Sequence, residues 1–495
     1  MIRYCSTRDR QIRVSAQAAV LAGLAADGGL FVPETMPAPI LPDTLIDCGY
    51  RDLARRILKA FLEDYSNEEL SAAVSSAYDA KFDAPDIVPL RALSDGWLME
   101  LWHGPTCAFK DIALTILPHL MSTAYQDARM DGTICILTAT SGDTGKAALA
   151  GFADVPHTAI TVFYPEVGVS EIQKLQMQTA KGSNVMVYGL AGNFDDCQRL
   201  IKEAAGSPRI QEACRHVSLS SANSINIGRL VPQIVYYYKA YLDLVKAGRL
   251  SSGQHVNFVV PTGNFGDILA GYLAKRLGLP VGRLICASNS NDVLTEFLRT
   301  GRYSIRRPFH ATMSPSMDIL VSSNLERLLY LESEGDDALV RTLMQKLKDD
   351  GEYTISAGLL QKIQETFLAA SASEEDCAEE IRRLWEEEHV LIDPHTAVAM
   401  HALHESGAAA EGHRPAVVLS TASPYKFSAS VLKAITGSAP ADGFACMQEL
   451  NRLTGVPVPP SLAQLKDLPV RFDQTIRIEE GMDVIVRRIR ELGHD

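Results

Sequence analysis

Short apolar runs alternate with amphipathic segments along most of the chain after residue 95. The runs TICILTA, AITVFYP, NVMVYGLA, VNFVVP, LICAS and AVVLS have the length and β-branched content of strands. Most are followed by a turn and then by a segment of helical periodicity, such as KAALAGFA or DILAGYLAKRLG. Strands that alternate with helices at this spacing form parallel sheets with helices on both faces. The sequence therefore predicts an α/β fold that binds its ligands beyond the carboxyl ends of strands.

Residues 1–94 show a different, more helical pattern. The segments RDLARRILKAFLED and SNEELSAAVSSAYDAKF are amphipathic, and Ser66 is followed three residues later by Glu69, as in a capping box. We predict a mainly helical N-terminal domain here. The charged segment 371–389 is typical of a helix with a solvated face.

The composition indicates which kinds of partner and which cellular compartment suit this protein. The chain has 495 residues, 46% of them hydrophobic, and a formal net charge of −13 from 47 basic and 60 acidic side chains. This balance argues against nucleic acid or an anionic membrane as partners. Nine scattered cysteines without a CxxC pair indicate reduced thiols. Because no signal-peptide pattern and no long apolar run is seen, we expect a soluble, cytoplasmic protein.

The stretch VNFVVPTGNFGDILAG runs from an apolar strand through two glycines into a helix. Gly263 and Gly266 allow the backbone N–H groups to converge, and the helix dipole adds positive charge at the same point. This arrangement suits an anion of phosphate size. The alternative is an ordinary tight turn of an α/β domain.

The stretch TATSGDTGKAAL is a second turn that precedes a helix. Its hydroxyl groups and free N–H groups together suit a carboxylate or a phosphate; the hydroxyls belong to Thr138, Thr140, Ser141 and Thr144. The spacing is not that of an ATP-binding P-loop, and no GxGxxG, GxSxG or HExxH motif is present. His103 and His119 have no partner spaced for a metal ion, so we predict no metal site.

The stretch SANSINIGRL places a polar cluster before an apolar helix. Asn223, Ser224, Asn226 and Arg229 form this cluster, and Arg229 is the side chain suited to grip a phosphate through two hydrogen bonds. A capped helix start with a surface arginine is the alternative interpretation.

Lys110, in HGPTCAFKDIAL, lies among apolar and turn residues. Desolvation there would disfavour the ammonium form and make the amine a nucleophile toward an aldehyde. Lysines of this kind form Schiff bases with pyridoxal phosphate (PLP). That cofactor also needs a phosphate cradle and a partner for its ring nitrogen, and LSTASP offers the hydroxyl of Thr421 for the nitrogen.

Together these stretches resemble the threonine synthases, a family of fold-type II PLP-dependent enzymes. The resemblance covers nearly the whole chain, and its blocks follow the family's order: STR, GLAADGGLFVPETMP, HGPTCAFKD, TATSGDTG, ANSINIGRL, PTGNFGDILAG, MDILVSSNLERL, DPHTAVA and TASPYKF. It implies a tryptophan synthase β-like fold with two parallel-sheet αβα domains and the helical N-terminal domain. We predict a large PLP-binding domain over 95–135 and 200–440, a small mobile domain over 136–199, and a C-terminal segment 441–495 packed on the large domain.

The resemblance also implies roles for single residues. Lys110 would hold PLP covalently, Thr421 would face the pyridine nitrogen, and Asp143 would lie near the 3′ oxygen, either protonated or paired with another donor. The PLP phosphate would rest on Gly263, Asn264, Phe265, Gly266 and Asp267.

The substrate would be held by two further groups of residues. Thr140, Ser141 and Thr144 would bind its carboxylate, and Asn223, Ser224 and Arg229 would bind its phosphate. Some relatives carry a second lysine two positions after the PLP lysine; Ile112 stands there in this chain, so Lys146 is the candidate for a second cation.

The function implied by the resemblance is conversion of O-phospho-L-homoserine and water to L-threonine and phosphate, the last step of threonine biosynthesis. Two alternatives stay open. One is a phospho-lyase that acts on O-phosphohomoserine or O-phosphothreonine and releases 2-oxobutanoate, and the other is a non-catalytic phospho-ligand binder. We expect a monomer or homodimer.

Overall fold

The structure of the protein is a computed structural model, and it describes residues 1–140, 142–166, 169–214, 216–407 and 414–493. The strands are β1 Tyr4–Ser6, β2 Arg13–Val14, β3 Phe31–Pro33, β4 Leu90–Ala92, β5 Trp97–Glu100, β6 Thr133–Ala139, β7 Thr158–Pro165, β8 Val185–Leu190, β9 Val217–Ser220, β10 Val256–Pro261, β11 Val281–Ser288, β12 Arg302–Ser304, β13 Glu352–Thr354, β14 Phe367–Ser371, β15 Ala416–Ser420 and β16 Thr475–Ile476.

The α-helices of the described residues are α1 Ala16–Ala22, α2 Tyr50–Phe61, α3 Asn67–Ala77, α4 Lys110–Leu114, α5 Leu117–Asp127, α6 Asp143–Phe152, α7 Glu171–Gln178, α8 Phe194–Gly206, α9 Pro208–Ala213, α10 Ile227–Leu230, α11 Ile234–Lys246, α12 Gly266–Arg276, α13 Val293–Thr300, α14 Leu325–Glu332, α15 Asp337–Asp350, α16 Ala357–Gln364, α17 Glu374–Glu388, α18 Pro394–Glu405, α19 Ser428–Thr436, α20 Gly443–Thr454, α21 Pro460–Ala463 and α22 Gly481–Leu492. Short 3-10 turns include Pro315–Met317 and Pro424–Phe427.

The larger sheet has its strands in the order β14, β11, β10, β15, β5, β4. All neighbours are parallel except β4 and β5. Strands β10 and β15 are direct neighbours, with Asn257 opposite Ala416. Because parallel neighbours end at the same edge of a sheet, the turn after residue 261 and the turn after residue 420 lie side by side.

The second sheet is entirely parallel, in the order β16, β8, β7, β6, β9. Two parallel sheets interleaved with helices confirm the predicted fold class. The domain boundaries stay a prediction, and we note that β9 and β16 join this sheet from outside the range 136–199.

The N-terminal region carries helices α1 to α3, as the periodicity predicts. The capping box is confirmed, since the Ser66 hydroxyl accepts from the Glu69 N–H and the Glu69 carboxylate accepts from the Ser66 N–H. A small antiparallel sheet, β2–β1–β3, accompanies the helices; its strands are two or three residues long, which is too short to show a period in the sequence.

The two parallel sheets meet where α4 packs against α6. Helix α4 begins at Lys110 and follows the larger sheet, whereas α6 begins at Asp143 and follows the second sheet. Their contact brings the two helix starts into one site. Within the described part of the chain, no helix combines the length and the apolar character that crossing a membrane requires.

Candidate active site

The loop that carries Lys110 is fastened to the end of β15. The backbone N–H of Leu101 donates to the Ser420 carbonyl at 2.9 Å, and that of Phe109 donates to the Thr421 carbonyl at 2.8 Å. These bonds place Lys110 beside Thr421, which is itself buried. The backbone next to the lysine and the backbone of Thr421, which the sequence pairs with it, are therefore hydrogen-bonded neighbours.

Asp111, which directly follows the lysine, holds this loop in shape. Its buried carboxylate accepts from the Thr106 N–H at 2.8 Å and from the Thr106 hydroxyl at 2.5 Å. Gly104 packs so closely on it that an added Cβ would lie 2.5 Å from the Asp111 Cβ. The acid next to Lys110 thus organises the backbone rather than pairing with the lysine.

Burial lowers the pKa of Lys110 below the ordinary lysine value. Four charged side chains add to or oppose this effect: Asp143 and Asp267 raise the pKa, and Lys426 and Arg229 lower it. The Lys110 Nζ also lies 5.2 Å from the centre of the Phe109 ring. The net shift makes the neutral amine, which is the nucleophilic form, more accessible than in an ordinary lysine.

The turn after β10 presents bare backbone. Among the described residues, none accepts a hydrogen bond from the N–H groups of residues 263–266. Phe265 holds the left-handed conformation at φ 62°, with its ring buried and 5.6 Å from that of Phe367. Asn264 is exposed, and Gly266 begins helix α12. Four free donors at a helix start match the predicted anion cradle.

The carbonyl groups of this turn are held from the other side. The Ser322 hydroxyl donates to the Gly263 carbonyl at 2.8 Å, and Asn324 donates to the Asn264 carbonyl through its backbone N–H at 3.1 Å and its side-chain amide at 3.0 Å. With the carbonyls occupied, the N–H groups face away from residues 322–324. The sequence pattern assigns no role to Ser322 or Asn324.

Asp267 is the titratable member of this turn. It is buried, and burial raises its pKa to about 7, although the Ile268 N–H and the charge of Lys110 act against the rise. The Ile268 N–H donates to its carboxylate at 2.9 Å. An acid of this pKa is partly protonated near neutral pH, so it can stand close to an anion without full charge repulsion.

Asp143 is paired with a donor rather than protonated. Lys426 forms a short ion pair with its carboxylate, to which Gln173 also donates at 3.3 Å and Ser316 at 3.2 Å. Burial alone would raise the pKa of Asp143, but Lys426 and then Lys110 outweigh burial and hold it well below the usual range. Of the two alternatives left open by the sequence, the structure favours the charged, partnered carboxylate.

Lys146 lies on the same face of the site but has no carboxylate partner among the described residues. Its Nζ donates to the Thr106 carbonyl at 3.1 Å, and burial followed by repulsion from Lys426 lowers its pKa to about 7. Of the two lysines Lys146 and Lys426, it is therefore Lys426 that pairs with a carboxylate near Lys110. The sequence contains one signal for it, because Lys426 lies within the block TASPYKF directly after the third turn.

The predicted carboxylate-binding loop is only partly described. Thr140 is buried, and its hydroxyl accepts from the N–H groups of Gly142 and Gly145, both at 3.0 Å. Thr144 is half-buried. Ser141 lies outside the described residues. Thr140 therefore shapes the turn from within.

The predicted phosphate-binding cluster gives a mixed result. Arg229 is 3% exposed, donates to the Ala222 carbonyl at 2.6 Å, and keeps a buried Nε without a partner in the described protein; burial lowers its pKa to about 10. Ser224 accepts from Asn324 at 3.3 Å, which ties it to the 263–266 turn. Asn223 is exposed. Asn226 caps α10 and bonds backbone carbonyls, so it acts structurally.

A buried arginine links these loops to the N-terminal region. Arg327 donates to the Phe31 carbonyl at 3.0 Å, to the Ile225 carbonyl at 2.6 Å and to the Asn324 side chain. Its neighbour Glu326 pairs with Arg8 at 2.7 Å. The N-terminal region and the loops that carry Ile225 and Asn324 are therefore held by adjacent residues of α14.

Comparison with known proteins identifies the family. Residues 85–422 match the model of pyridoxal-phosphate dependent enzymes, residues 3–78 match the threonine synthase N terminus, and residues 396–484 match the threonine synthase C-terminal family. The chain is 38% identical over 444 residues to threonine synthase of Pseudomonas aeruginosa, covering 89% of this chain and 92% of that protein. For threonine synthase of Saccharomyces cerevisiae the identity is 35% over 466 residues, with 88% and 89% covered.

A related human protein is longer. The chain is 38% identical over 454 residues to threonine synthase-like 1 of Homo sapiens. The match covers 88% of this chain but only 60% of the human protein. Among solved structures, PLP-bound threonine synthase from Brucella melitensis has a TM-score of 0.89 at 36% identity with both chains fully covered, and the yeast enzyme has 0.88 at 32% identity with 99% of each chain covered. The chain therefore belongs to the PLP-dependent enzymes and, within them, to the threonine synthase family.

Proposed function

We propose that this chain is a threonine synthase that converts O-phospho-L-homoserine and water into L-threonine and phosphate, as the last step of threonine biosynthesis. The observation that carries the proposal is Lys110, a half-buried lysine whose amine feels the charges of Asp143 and Asp267, one from each of two turns suited to anions. Membership of the family supports the choice of reaction.

The described residues fit PLP. The free N–H groups of residues 263–266 suit its phosphate, the amine of Lys110 suits its aldehyde, and the buried Thr421 suits its ring nitrogen. We assign Asp143, held ionised by Lys426, to the side of the 3′ oxygen. Gly263, Asn264, Phe265, Gly266 and Asp267 complete the assigned cofactor site.

PLP, when bound, supplies an electron sink that stabilises negative charge next to the substrate amine. We assign the proton transfers at Cα to Lys110, because once it is released from the cofactor it is an amine in a site that disfavours its protonation. The ring of Phe109, whose centre lies 5.2 Å from the Lys110 Nζ, shields one side of the amine from water.

We assign the substrate phosphate to Arg229, Ser224 and Asn223. The unpartnered, buried Nε of Arg229 supports this role, since a buried donor without a partner is costly unless a ligand satisfies it. Ser224 accepts from Asn324, which in turn holds the Asn264 carbonyl of the cofactor turn. We assign the substrate carboxylate to Thr140, Ser141 and Thr144, with Lys146 as a nearby cation whose pKa of about 7 lets it donate or accept a proton.

Other properties follow as proposals from composition. We propose that the enzyme acts in the cytoplasm, as a monomer or homodimer, without a nucleic-acid partner. The net charge of −13 and nine cysteines that are all free thiols support this assignment. We also propose the four-part domain division given above, with β9 and β16 added to the small domain because they pair with its sheet.

Product analysis tests the proposed reaction. The purified holoprotein is incubated with O-phospho-L-homoserine, and threonine, phosphate and 2-oxobutanoate are measured. Threonine and phosphate in equal amounts support the synthase. Phosphate with 2-oxobutanoate in place of threonine would identify the phospho-lyase, and no product from a protein that binds PLP would identify a non-catalytic binder.

A further inference from the structure

Lys426 is a cation without access to water. Its side chain is 0% exposed, and it forms an ion pair with the carboxylate of Asp143, which is 4% exposed. Lys426 comes from the turn after β15 of the larger sheet, whereas Asp143 begins α6 after β6 of the second sheet. The pair therefore joins the two sheets inside the site. Two charges this deep are stable together, but either one alone is costly.

The carboxylate of Asp143 is fully engaged by this pair and its neighbours. Lys426 and Gln173 donate to Oδ1, and the Ser316 hydroxyl donates to Oδ2 at 3.2 Å. Ser316 is itself fixed, because its N–H donates to the Nε2 of His395 at 3.1 Å and His395 bonds Asp393 at 2.7 Å. Nothing in this arrangement requires Asp143 to pair with Lys110.

The charges that face Lys110 come from four elements. They are Asp143 on α6, Asp267 on α12, Arg229 on α10 and Lys426 in the turn after β15. Asp143 is flanked in turn by His395 on α18, and Lys426 by Lys146 on α6 and Asp111 on α4. A lone buried carboxylate beside Lys110 would hold it as an ammonium ion, since an opposite charge nearby stabilises the charged form.

We propose that Lys426 is a positioning residue that occupies the Asp143 carboxylate, so that Lys110 has no ion-pair partner and is available as an amine. The inference rests on the proposed function, in which the Lys110 amine joins the cofactor aldehyde and accepts the Cα proton. Both steps need a lone pair on Nζ, which an ammonium ion lacks.

Lys146 does not fill the same role. Its Nζ donates to the Thr106 carbonyl, and it forms no ion pair within the described residues. Its pKa of about 7 also makes it an unreliable cation above neutral pH. Burial and an adjacent carboxylate make Lys426 the cation that neutralises Asp143.

The test measures how readily Lys110 attaches the cofactor. The full-length chain is freed of cofactor, PLP is added, and the growth of the visible absorbance band is followed over a range of pH. The midpoint of the rate against pH reports the ionisation of the Lys110 amine. Four proteins are compared: the unsubstituted chain, K426M, D143N and the double variant D143N/K426M. Methionine keeps the length of lysine without its charge.

In K426M we expect the midpoint to rise by about one pH unit or more, because the cation is gone and Asp143 is free to pair with Lys110. Below the midpoint the attachment is then about tenfold slower or more. In D143N we expect the opposite shift, to lower pH. The double variant should return close to the unsubstituted midpoint, and loss of Lys426 should shift the midpoint less there than when Asp143 is present.

K239M is the matched control. Lys239 on α11 is also buried and pairs with Asp243, but it is not among the charges that face Lys110. Its removal should leave the midpoint unchanged. A midpoint in K426M equal to or below that of the unsubstituted chain would overturn the proposal, as would an equal shift in both backgrounds.

Two further outcomes have a different meaning: failure of K426M to fold, and failure of the proposed function itself. If K426M does not fold because Asp143 is left unpaired, D143N and the double variant still decide: loss of Lys426 should raise the midpoint little in the D143N background, and a rise of about one pH unit or more there would overturn the proposal. If the unsubstituted chain forms no visible band, or K110A forms the same band, the proposed function itself fails. A normal band with an unshifted midpoint contradicts the role of Lys426 alone.

Discussion

Two strand-to-helix turns form this site, and they are built by different means. The turn after β10 uses backbone: its N–H groups at 263–266 are free, and its carbonyls are held by Ser322 and Asn324. The turn after β6 uses charge: Asp143 faces Lys110 and is neutralised by Lys426. In our proposal, the first turn binds the cofactor phosphate through neutral dipoles, and the second sets the protonation state of the Lys110 amine.

The two turns should therefore differ in how sensitive they are to the substitution of a single residue. Several N–H groups share the binding at the first turn, so the loss of one changes little. At the second turn and at Arg229, a single side chain carries a full charge in a buried place, where each charge counts heavily. We therefore expect substitutions of buried charges to have larger effects than substitutions in the backbone turn.

Among the substitutions that compare the two turns, Arg229→Met is expected to have the largest effect. If Arg229 binds the substrate phosphate, its loss removes a buried, charge-assisted contact, which typically costs 2 kcal/mol or more and lowers kcat/KM by about 30-fold or more. Steady-state kinetics measure this value. Arg276→Met on α12 is the control, because Arg276 bonds Tyr272 away from the site. A fall in kcat/KM no greater than that of the control would show that Arg229 does not bind the substrate phosphate.

Gly263→Ala should have a smaller effect. Its added Cβ would lie 3.0 Å from the Ser316 carbonyl oxygen, so the turn must shift. Overpacking of this kind costs roughly 1 kcal/mol or more, which weakens PLP binding about fivefold. Equilibrium binding of PLP measures it, with Gly358→Ala as the control, since nothing lies within 4 Å of a Cβ there. If PLP binding fell by a larger factor in Gly263→Ala than kcat/KM falls in Arg229→Met, the backbone turn would be the more sensitive of the two, contrary to our expectation.

Asp267→Asn should change how stability depends on pH. The native pKa of Asp267 is raised to about 7 from the model-peptide value of 3.8. Between these values the native state keeps a proton that the unfolded state loses, so stability falls as pH rises, by up to about 1.4 kcal/mol per pH unit. Asparagine has no proton to lose, so the variant should lack this part of the slope.

Denaturant unfolding of both cofactor-free proteins at about pH 5 and about pH 7 measures the difference. The unsubstituted chain should lose more stability over this interval than Asp267→Asn. Equal losses in the two proteins would show that Asp267 titrates in its ordinary range and that the backbone turn contains a full negative charge.

The smallest effect is expected from Asn223→Ala. Asn223 is exposed, so the hydrogen bond that we propose from its neutral side chain to the substrate phosphate would lie close to water. Such a bond contributes about 1 kcal/mol, and its loss should raise KM a few-fold with kcat and the absorbance spectrum unchanged. An unchanged KM would remove Asn223 from the substrate site, and a loss of PLP binding would move it to the cofactor site.

The sequence predicts the backbone half of the site well, because that half is local. The apolar run, the glycines and the helix start of the turn after β10 lie within about a dozen consecutive residues, and their geometry follows from their order. The same holds for Lys110, whose apolar surroundings are its own neighbours along the chain. The parallel sheets can also be predicted from the sequence, since the alternation of strands and helices is a local pattern.

The charged half is harder to predict, because its partners are distant in the chain. Asp143 and Lys426 are 283 positions apart, and Asn324 is 60 positions from the Asn264 carbonyl that it holds. Only the packing of the two sheets brings such pairs together. The sequence singles out Asp143 but leaves its protonation open, and it assigns no role to Lys426, which the structure places against the carboxylate. The short strands β1 and β2 escape prediction for a simpler reason, which is their length.

The most direct measurement compares the unsubstituted chain with Lys110→Ala. Each protein is reconstituted with PLP, its visible spectrum is recorded, and threonine is quantified after addition of O-phospho-L-homoserine. We expect a visible band and threonine from the unsubstituted chain, and loss of both in Lys110→Ala. An equal band or equal threonine formation in the variant would contradict the claim that Lys110 holds the cofactor.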